Sequence, residues 1–141
     1  MQDDELKGLV KARLDHANEC LDAAYHLKDH DDYKGAANRS YYAVFHAIRS
    51  VLAIDGTDMR HHSGVIAEFR RRYIKTGEFR RELSDIISAV FDIRTGSDYN
   101  DFYVVSKKDV TEQIENARVF VSEITDYLEV HGYIKPKTEE E

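Results

Sequence analysis

Three side chains at helical spacing supply the first chemistry. Arg39, Tyr42 and His46 stand at i, i+3 and i+7, which places them on one face of a helix. A guanidinium offers a fixed fork of donors that suits phosphate. An imidazole titrates near neutral pH. A phenol can stack on a base or donate a hydrogen bond. Asn38, Arg49 and Ser50 complete the polar stripe. The plain alternative is a wetted helix side, with Arg39 paired to an acidic neighbour.

A second group is Arg94-Thr-Gly-Ser-Asp98-Tyr99. A guanidinium at a helix end, followed closely by a carboxylate and a phenol in a loop, makes a compact polar pocket for a phosphate or nucleotide. Its alternative is local: Arg94 neutralises the helix C-terminus and pairs with Asp98.

Weaker signals surround these two. The basic run Arg70, Arg71, Arg72, Lys75, Arg80 and Arg81 could meet RNA phosphates. Glu68, Glu78 and Glu82 interleave with it, which favours a solvated mixed-charge surface. His26 and His30 have i, i+4 spacing without a third ligand, so no metal site is expected. Loop histidines His61 and His62 are expected to be structural or solvated. Cys20 lies on an apolar stripe and reads as a small core residue. No phosphate-binding glycine loop, nucleophile elbow or metalloprotease helix is present in the sequence.

Helices must position these groups. Leu6, Val10, Leu14, Ala17, Leu21 and Ala24 recur at three and four residues, which predicts a helix from Asp4 to about His30. Asp31 or Asp32 can cap a second helix, from Tyr33 to about Ala53, whose wide apolar arc marks it as central. Ser63 is expected to cap a third helix, running to about Tyr73 and stopped by Thr76-Gly77. A fourth is expected from Glu78 to about Arg94, with Phe79, Leu83, Ile86, Ile87, Val90 and Phe91 inward and Gly96 as its C-terminal cap. Thr95 to Val105 reads as an aromatic loop. Ser106 to Asp109 reads as a capping box for a fifth helix through Val110, Ile114, Ala117, Val121, Ile124 and Leu128. The fold expected is all-α, an antiparallel up-and-down bundle of about five helices.

Composition agrees. The chain has 141 residues, 42% hydrophobic and 33% charged, which suits one globular domain. One proline and seven glycines are few for a barrel or sandwich. A single cysteine, Cys20, is expected to exclude an internal disulfide framework and a cysteine-based zinc site. The net charge of −7 argues against a non-specific nucleic-acid coat. No run approaches a membrane span, and the acidic N-terminus does not read as a signal peptide, so the expected location is cytoplasmic.

The run from Asp32 to Ala47, containing Asn38-Arg39-Ser-Tyr41-Tyr42-Ala-Val-Phe45-His46, resembles the second helix of small prokaryotic HEPN-domain proteins. His62-Ser63-Gly64-Val65 with Phe69, Arg94-x-x-x-Asp98-Tyr99 and the last amphipathic helix resemble the same group in the same order. The resemblance implies one HEPN-like domain over 1–134, with 135–141 a polar tail. It further implies a homodimer that binds RNA or nucleotide at a dimer cleft. The implied partner is a minimal nucleotidyltransferase, in a toxin–antitoxin pair. No cofactor is implied, because many such proteins are metal-independent endoribonucleases. Their motif is an Arg followed, after four to six residues, by a His. Here the positions counted from Arg94 hold Tyr99, Asn100 and Asp101. The resemblance therefore assigns catalytic roles to Arg94, Asp98 and Tyr99, with His46 the candidate for proton transfer. Asn38, Arg39 and Tyr42 line the nucleotide or RNA site. The alternative is a non-catalytic binding subunit for a nucleotidyltransferase, in which the same residues serve capping and the partner interface.

Overall fold

The structure is a computed structural model that describes residues 3–56, 61–100 and 104–136, and for 97–99 the backbone alone. Five α-helices are described: α1 (Asp3–Asp29), α2 (Tyr33–Leu52), α3 (His62–Phe69), α4 (Glu82–Tyr99) and α5 (Lys107–Val130). No strand occurs among the described residues, so the fold is the expected all-α bundle.

α1 and α2 form a hairpin around a three-residue corner. Asp31 takes a left-handed conformation there, φ 62°, a region that Asp tolerates better than most residues. Asp32 then caps α2, its carboxylate accepting from the Gly35 N–H at 2.9 Å. A Cβ at Gly35 would stand 2.5 Å from that carboxylate. The glycine is therefore the space in which the cap sits.

α2 packs against α1, α3, α4 and α5. Its apolar arc buries Tyr41, Val44, Ile48, Val51 and Leu52 against Val10 and Leu14 of α1, Leu83 and Ile87 of α4, and Phe120, Ile124 and Leu128 of α5. Buried Ser40 and Ser50 donate to the carbonyls of Ala36 and Ala47, at 2.9 and 2.6 Å. This satisfies hydroxyls that have no water.

Three boundaries differ from the sequence expectation. α3 begins at His62, and its N-cap is the extended His61, not Ser63, which lies inside the first turn. The helix then continues as a π-turn over Arg70–Ile74, closed by Lys75 N–H to the Arg70 carbonyl at 2.8 Å. That turn keeps Phe69 and Tyr73 both buried, with ring centroids 5.7 Å apart. The Tyr73 hydroxyl donates to Asp55 at 2.6 Å.

α4 begins at Glu82 rather than Glu78. The chain reverses at Gly77, φ 85°, and the Phe79 N–H bonds the Tyr73 carbonyl at 2.8 Å. Phe79 enters the core from this turn, so an apolar residue in helical phase is not on the helix. α4 also runs on to Tyr99, and the Asn100 N–H bonds the Gly96 carbonyl at 3.1 Å. Gly96 is interior to the helix and not its cap. The first part of the expected aromatic loop, including Asp98 and Tyr99, is therefore the last turn of α4. Phe91, expected inward, is 37% exposed.

α5 is capped as expected, with Ser106 Oγ accepting from the Asp109 N–H at 3.0 Å. Gly132, φ 77°, ends it. The Tyr133 N–H reaches the Leu128 carbonyl and the Gly132 N–H the Glu129 carbonyl, a Schellman closure. Of the expected tail, only Lys135 and Pro136 are among the described residues. No helix among the described residues is long and apolar enough to cross a membrane.

Asp32→Ala should cost about 1 kcal/mol, the usual worth of an N-cap, read as a fall of about 3 °C in Tm. Gly35→Ala should fail to stabilise the protein, although alanine is the better helix former, because its methyl displaces the capping carboxylate. A clear rise in Tm for Gly35→Ala would contradict this account of the corner.

Candidate functional site

The two sequence-predicted groups meet on one face of the bundle. Arg94, on α4, lays its guanidinium over two rings of α2, with Cζ 5.1 Å from the Tyr41 centroid and 5.8 Å from that of Tyr42. Its Nη2 lies 3.5 Å from the Tyr42 hydroxyl. Arg39 covers Tyr42 as well, at 4.9 Å. Two guanidiniums thus attend one phenol, an arrangement that draws on the negative face of the ring. Arg39 is oriented by Asn38, whose Oδ1 accepts from Nη2 at 2.7 Å and Nε at 3.2 Å. The acidic partner expected for Arg39 is not what orients it.

The helical face foreseen from spacing is real. Tyr42 stacks on His46 at 5.9 Å, so Arg39, Tyr42 and His46 form a continuous row. It is not a wetted side at its far end. His46 is only 9% exposed. Burial, reinforced by the positive fields of His16, Arg49, Arg39 and His62, drops its pKa to about 4. The imidazole is neutral at pH 7.

The sequence reading missed His62, Tyr41 and His16. Tyr41 is buried in the core, and its hydroxyl lies 3.1 Å from His62 Nδ1. Burial pushes the Tyr41 phenol up to about 12, against the opposing pull of Arg94. It therefore keeps its proton and shares a hydrogen bond with the imidazole. His62 packs against Phe45 at 4.1 Å and edge-on to Tyr42 at 5.7 Å. Burial, then Arg94 and Arg49, hold its pKa below the usual value. Its place in the resemblance motif His62-Ser63-Gly64-Val65 was the available signal. His16 stacks on His46 from α1, with centroids 3.9 Å apart. Nothing in the sequence pairs these two residues, which sit on different helices.

Asp98 and Tyr99 lie on the last turn of α4, one turn beyond Arg94. Their side chains lie outside the described residues.

The basic run does not form an open cationic patch. Arg71 and Arg72 both pair with Glu68. Arg80 pairs bidentately with Glu123, at 2.6 to 3.0 Å. Arg70 donates to Ser84 and Ser88. This is the mixed-charge surface that the interleaved glutamates implied. The His26–His30 pair is used locally, with His30 Nδ1 2.8 Å from the His26 carbonyl. Metal-ligating atoms do converge at His16, Cys20 and His46. Cys20 therefore stands in a mixed His/Cys cluster, where the sequence expectation was that a single cysteine excludes a cysteine-based zinc site.

Chemically, the Arg94 face offers planar donors for a phosphate oxygen, aromatic surface for a base and a neutral imidazole beside them. A family model described as the HEPN domain matches residues 10–127. A UPF0332 protein of Thermotoga maritima is 34% identical over 113 residues, which is 80% of this chain and 86% of the relative. Two proteins of Methanocaldococcus jannaschii, each named "Putative toxin", are 26% and 27% identical. They cover 82% and 85% of this chain, and 78% and 89% of their own lengths.

The buried His46 makes stability depend on pH. Its folded pKa lies below its unfolded value, so its contribution is complete above about pH 6.5 and is lost as pH falls towards 4. Wild type should lose roughly 2 kcal/mol more than His46→Gln between pH 7 and pH 4.5 in urea unfolding. Equal losses in the two proteins would show that His46 is not held neutral by the fold.

Proposed function

Since this chain belongs to the HEPN domain family, we propose that it is a toxin-like protein that holds RNA or a nucleotide on its Arg94 face. The observation that carries the reading is the convergence of Arg94, Arg39, Tyr42 and His62 from three separate helices. Two relatives bearing the name "Putative toxin" support the toxin-like part. On this reading the working unit is a homodimer of the domain formed by residues 1–134. The half-exposed Phe91 beside the site adds apolar surface for the second copy. Residues 135–141 are a tail outside it. The partner is a minimal nucleotidyltransferase, and the compartment is the cytoplasm.

The roles follow from the chemistry. Arg94 and Arg39 are the phosphate-binding groups, and Tyr42 the stacking platform, with Asn38 orienting Arg39. If RNA is cleaved, the 2′-oxygen attacks the adjacent phosphorus. Its proton passes to an imidazole, and the 5′-oxygen leaves with a proton. Arg94 stabilises the charge on the phosphorane oxygens. His62 is better suited to proton transfer than His46. It is the more exposed imidazole, it lies within the field of Arg94, and its Nδ1 is oriented by Tyr41. His46 is enclosed and strongly biased to its neutral form. Asp98 and Tyr99 follow Arg94 on the last turn of α4, Tyr99 at the position where the family motif has its histidine.

A second reading has its own support. Arg94 already spends its guanidinium on two tyrosine rings inside its own chain. A non-catalytic binding subunit would use it as a clasp between α2 and α4.

Cleavage of a mixed RNA pool in EDTA separates the two. Under the first reading wild type cleaves, and Arg94→Ala lowers the rate at least 10²-fold while staying folded and dimeric. His62→Ala should lower it by a similar factor, and His46→Gln by much less. Under the second, wild type does not cleave, and Arg94→Ala lowers Tm and weakens nucleotidyltransferase binding. A folded wild type that neither cleaves RNA nor binds nucleotide or a nucleotidyltransferase would remove both.

A further inference from the structure

On the far side of His46 from Tyr42 lies a second constellation. His16 and Cys20 stand one turn apart on α1, the i, i+4 spacing that places two ligands on one helix face. His46 meets them from α2. A ring nitrogen of each histidine and Cys20 Sγ all lie within 4.8 Å of one another. A separate observation points to a ligand here. His46 is nine-tenths buried, and its Nδ1 has no hydrogen-bond partner among the described residues. An unsatisfied buried polar atom costs about 1–3 kcal/mol, and native proteins leave few of them.

We propose that His16, Cys20 and His46 bind a thiophilic d10 cation, Zn2+, as a three-ligand site with an open fourth position on the exposed His16 side. This site is independent of the reading of the Arg94 face.

The donor set fits the ion. Zn2+ takes imidazole nitrogen at about 2.0–2.1 Å and thiolate sulfur at about 2.3 Å, so tetrahedral ligands stand about 3.3–3.6 Å apart. From separations within 4.8 Å, closure needs a contraction of at most about 1.5 Å. The two imidazoles are stacked, 19° from parallel, which aims their lone pairs side by side. Closure therefore requires one ring to turn. His16 is exposed and can rotate at the surface, whereas His46 is fixed by Tyr42 and Phe45. Burial keeps His46 in the neutral form that ligates. Burial also raises the Cys20 thiol, against the opposing pull of Arg39. Zn2+ displaces the thiol proton, which is released to solvent. Arg39 and Arg49 repel a bare dication, and the new thiolate offsets one of its charges. The same donor set disfavours Mg2+, which wants oxygen ligands.

The test uses the full-length reduced protein, freed of metal, and Co2+ as a spectroscopic stand-in for Zn2+. Wild type should bind one Co2+ per chain. The complex should show a sulfur-to-cobalt charge-transfer band and intense visible d–d absorption, both removed by added Zn2+. Cys20→Ser should abolish the charge-transfer band. His16→Gln alters an exposed residue, so it should leave the circular dichroism unchanged. It should weaken Zn2+ binding at least tenfold in a chelator competition. His26→Gln should titrate as wild type. A folded wild type with no charge-transfer band would overturn the proposal. So would wild-type affinity in His16→Gln, or loss of binding in His26→Gln.

Discussion

The enclosure of α2 is the constraint from which the remaining structure follows. A helix packed against four others has almost no side left for water. Each polar group on it must find a partner within the bundle or remain unsatisfied. Ser40 and Ser50 resolve this by bonding back to their own helix. Tyr41 resolves it through His62, and Tyr42 lies beneath two guanidiniums. His46 gives up its charge instead. The candidate site is thus the set of arrangements by which one enclosed helix carries polar side chains. Three of the four helices around it each supply one counterpart: His16 from α1, His62 from α3, Arg94 from α4.

This arrangement also explains why the site is dry at one end and wet at the other. Along the row Arg39, Tyr42, His46, exposure declines towards His46. The open end carries the guanidiniums of Arg39 and Arg94 over the Tyr42 ring. The closed end holds soft, neutral groups, the imidazole of His46 and the thiol of Cys20, both buried. Groups of that kind exchange protons reluctantly and favour polarisable partners. A single stripe of side chains therefore presents two chemically distinct ends.

Much of the fold was legible because helical periodicity is written locally. The apolar steps of α1, α2 and α5 need no knowledge of the tertiary structure, and Asp32 and Ser106 cap the helices they precede. The failures lie where a local pattern is overruled from a distance. Phe79 has the phase of a helix residue but reaches the core from a turn tied to Tyr73. Gly96 looks like a stop, yet α4 passes through it for three more residues. Phe91 is apolar but sits on the half-exposed side of α4. At the site, spacing alone placed Arg39, Tyr42 and His46 together, because they share a helix. It could not place His16 beside His46 or His62 beside Tyr41. Those contacts join residues separated by a corner or a loop, and the sequence carries no period that links them.

The three-residue corner between α1 and α2 bears on the order in which the molecule assembles. A hairpin closed over so short a connection forms with little loss of loop entropy, whereas contacts between distant segments form late. The pairing of His16 with His46 belongs to that early hairpin. Arg94 must arrive from 52 positions beyond Tyr42. A chain emerging from the ribosome in sequence order therefore acquires its histidine pair well before its guanidinium. Until α4 is made and docked, the nascent protein carries its histidine pair without the guanidinium that covers Tyr41 and Tyr42.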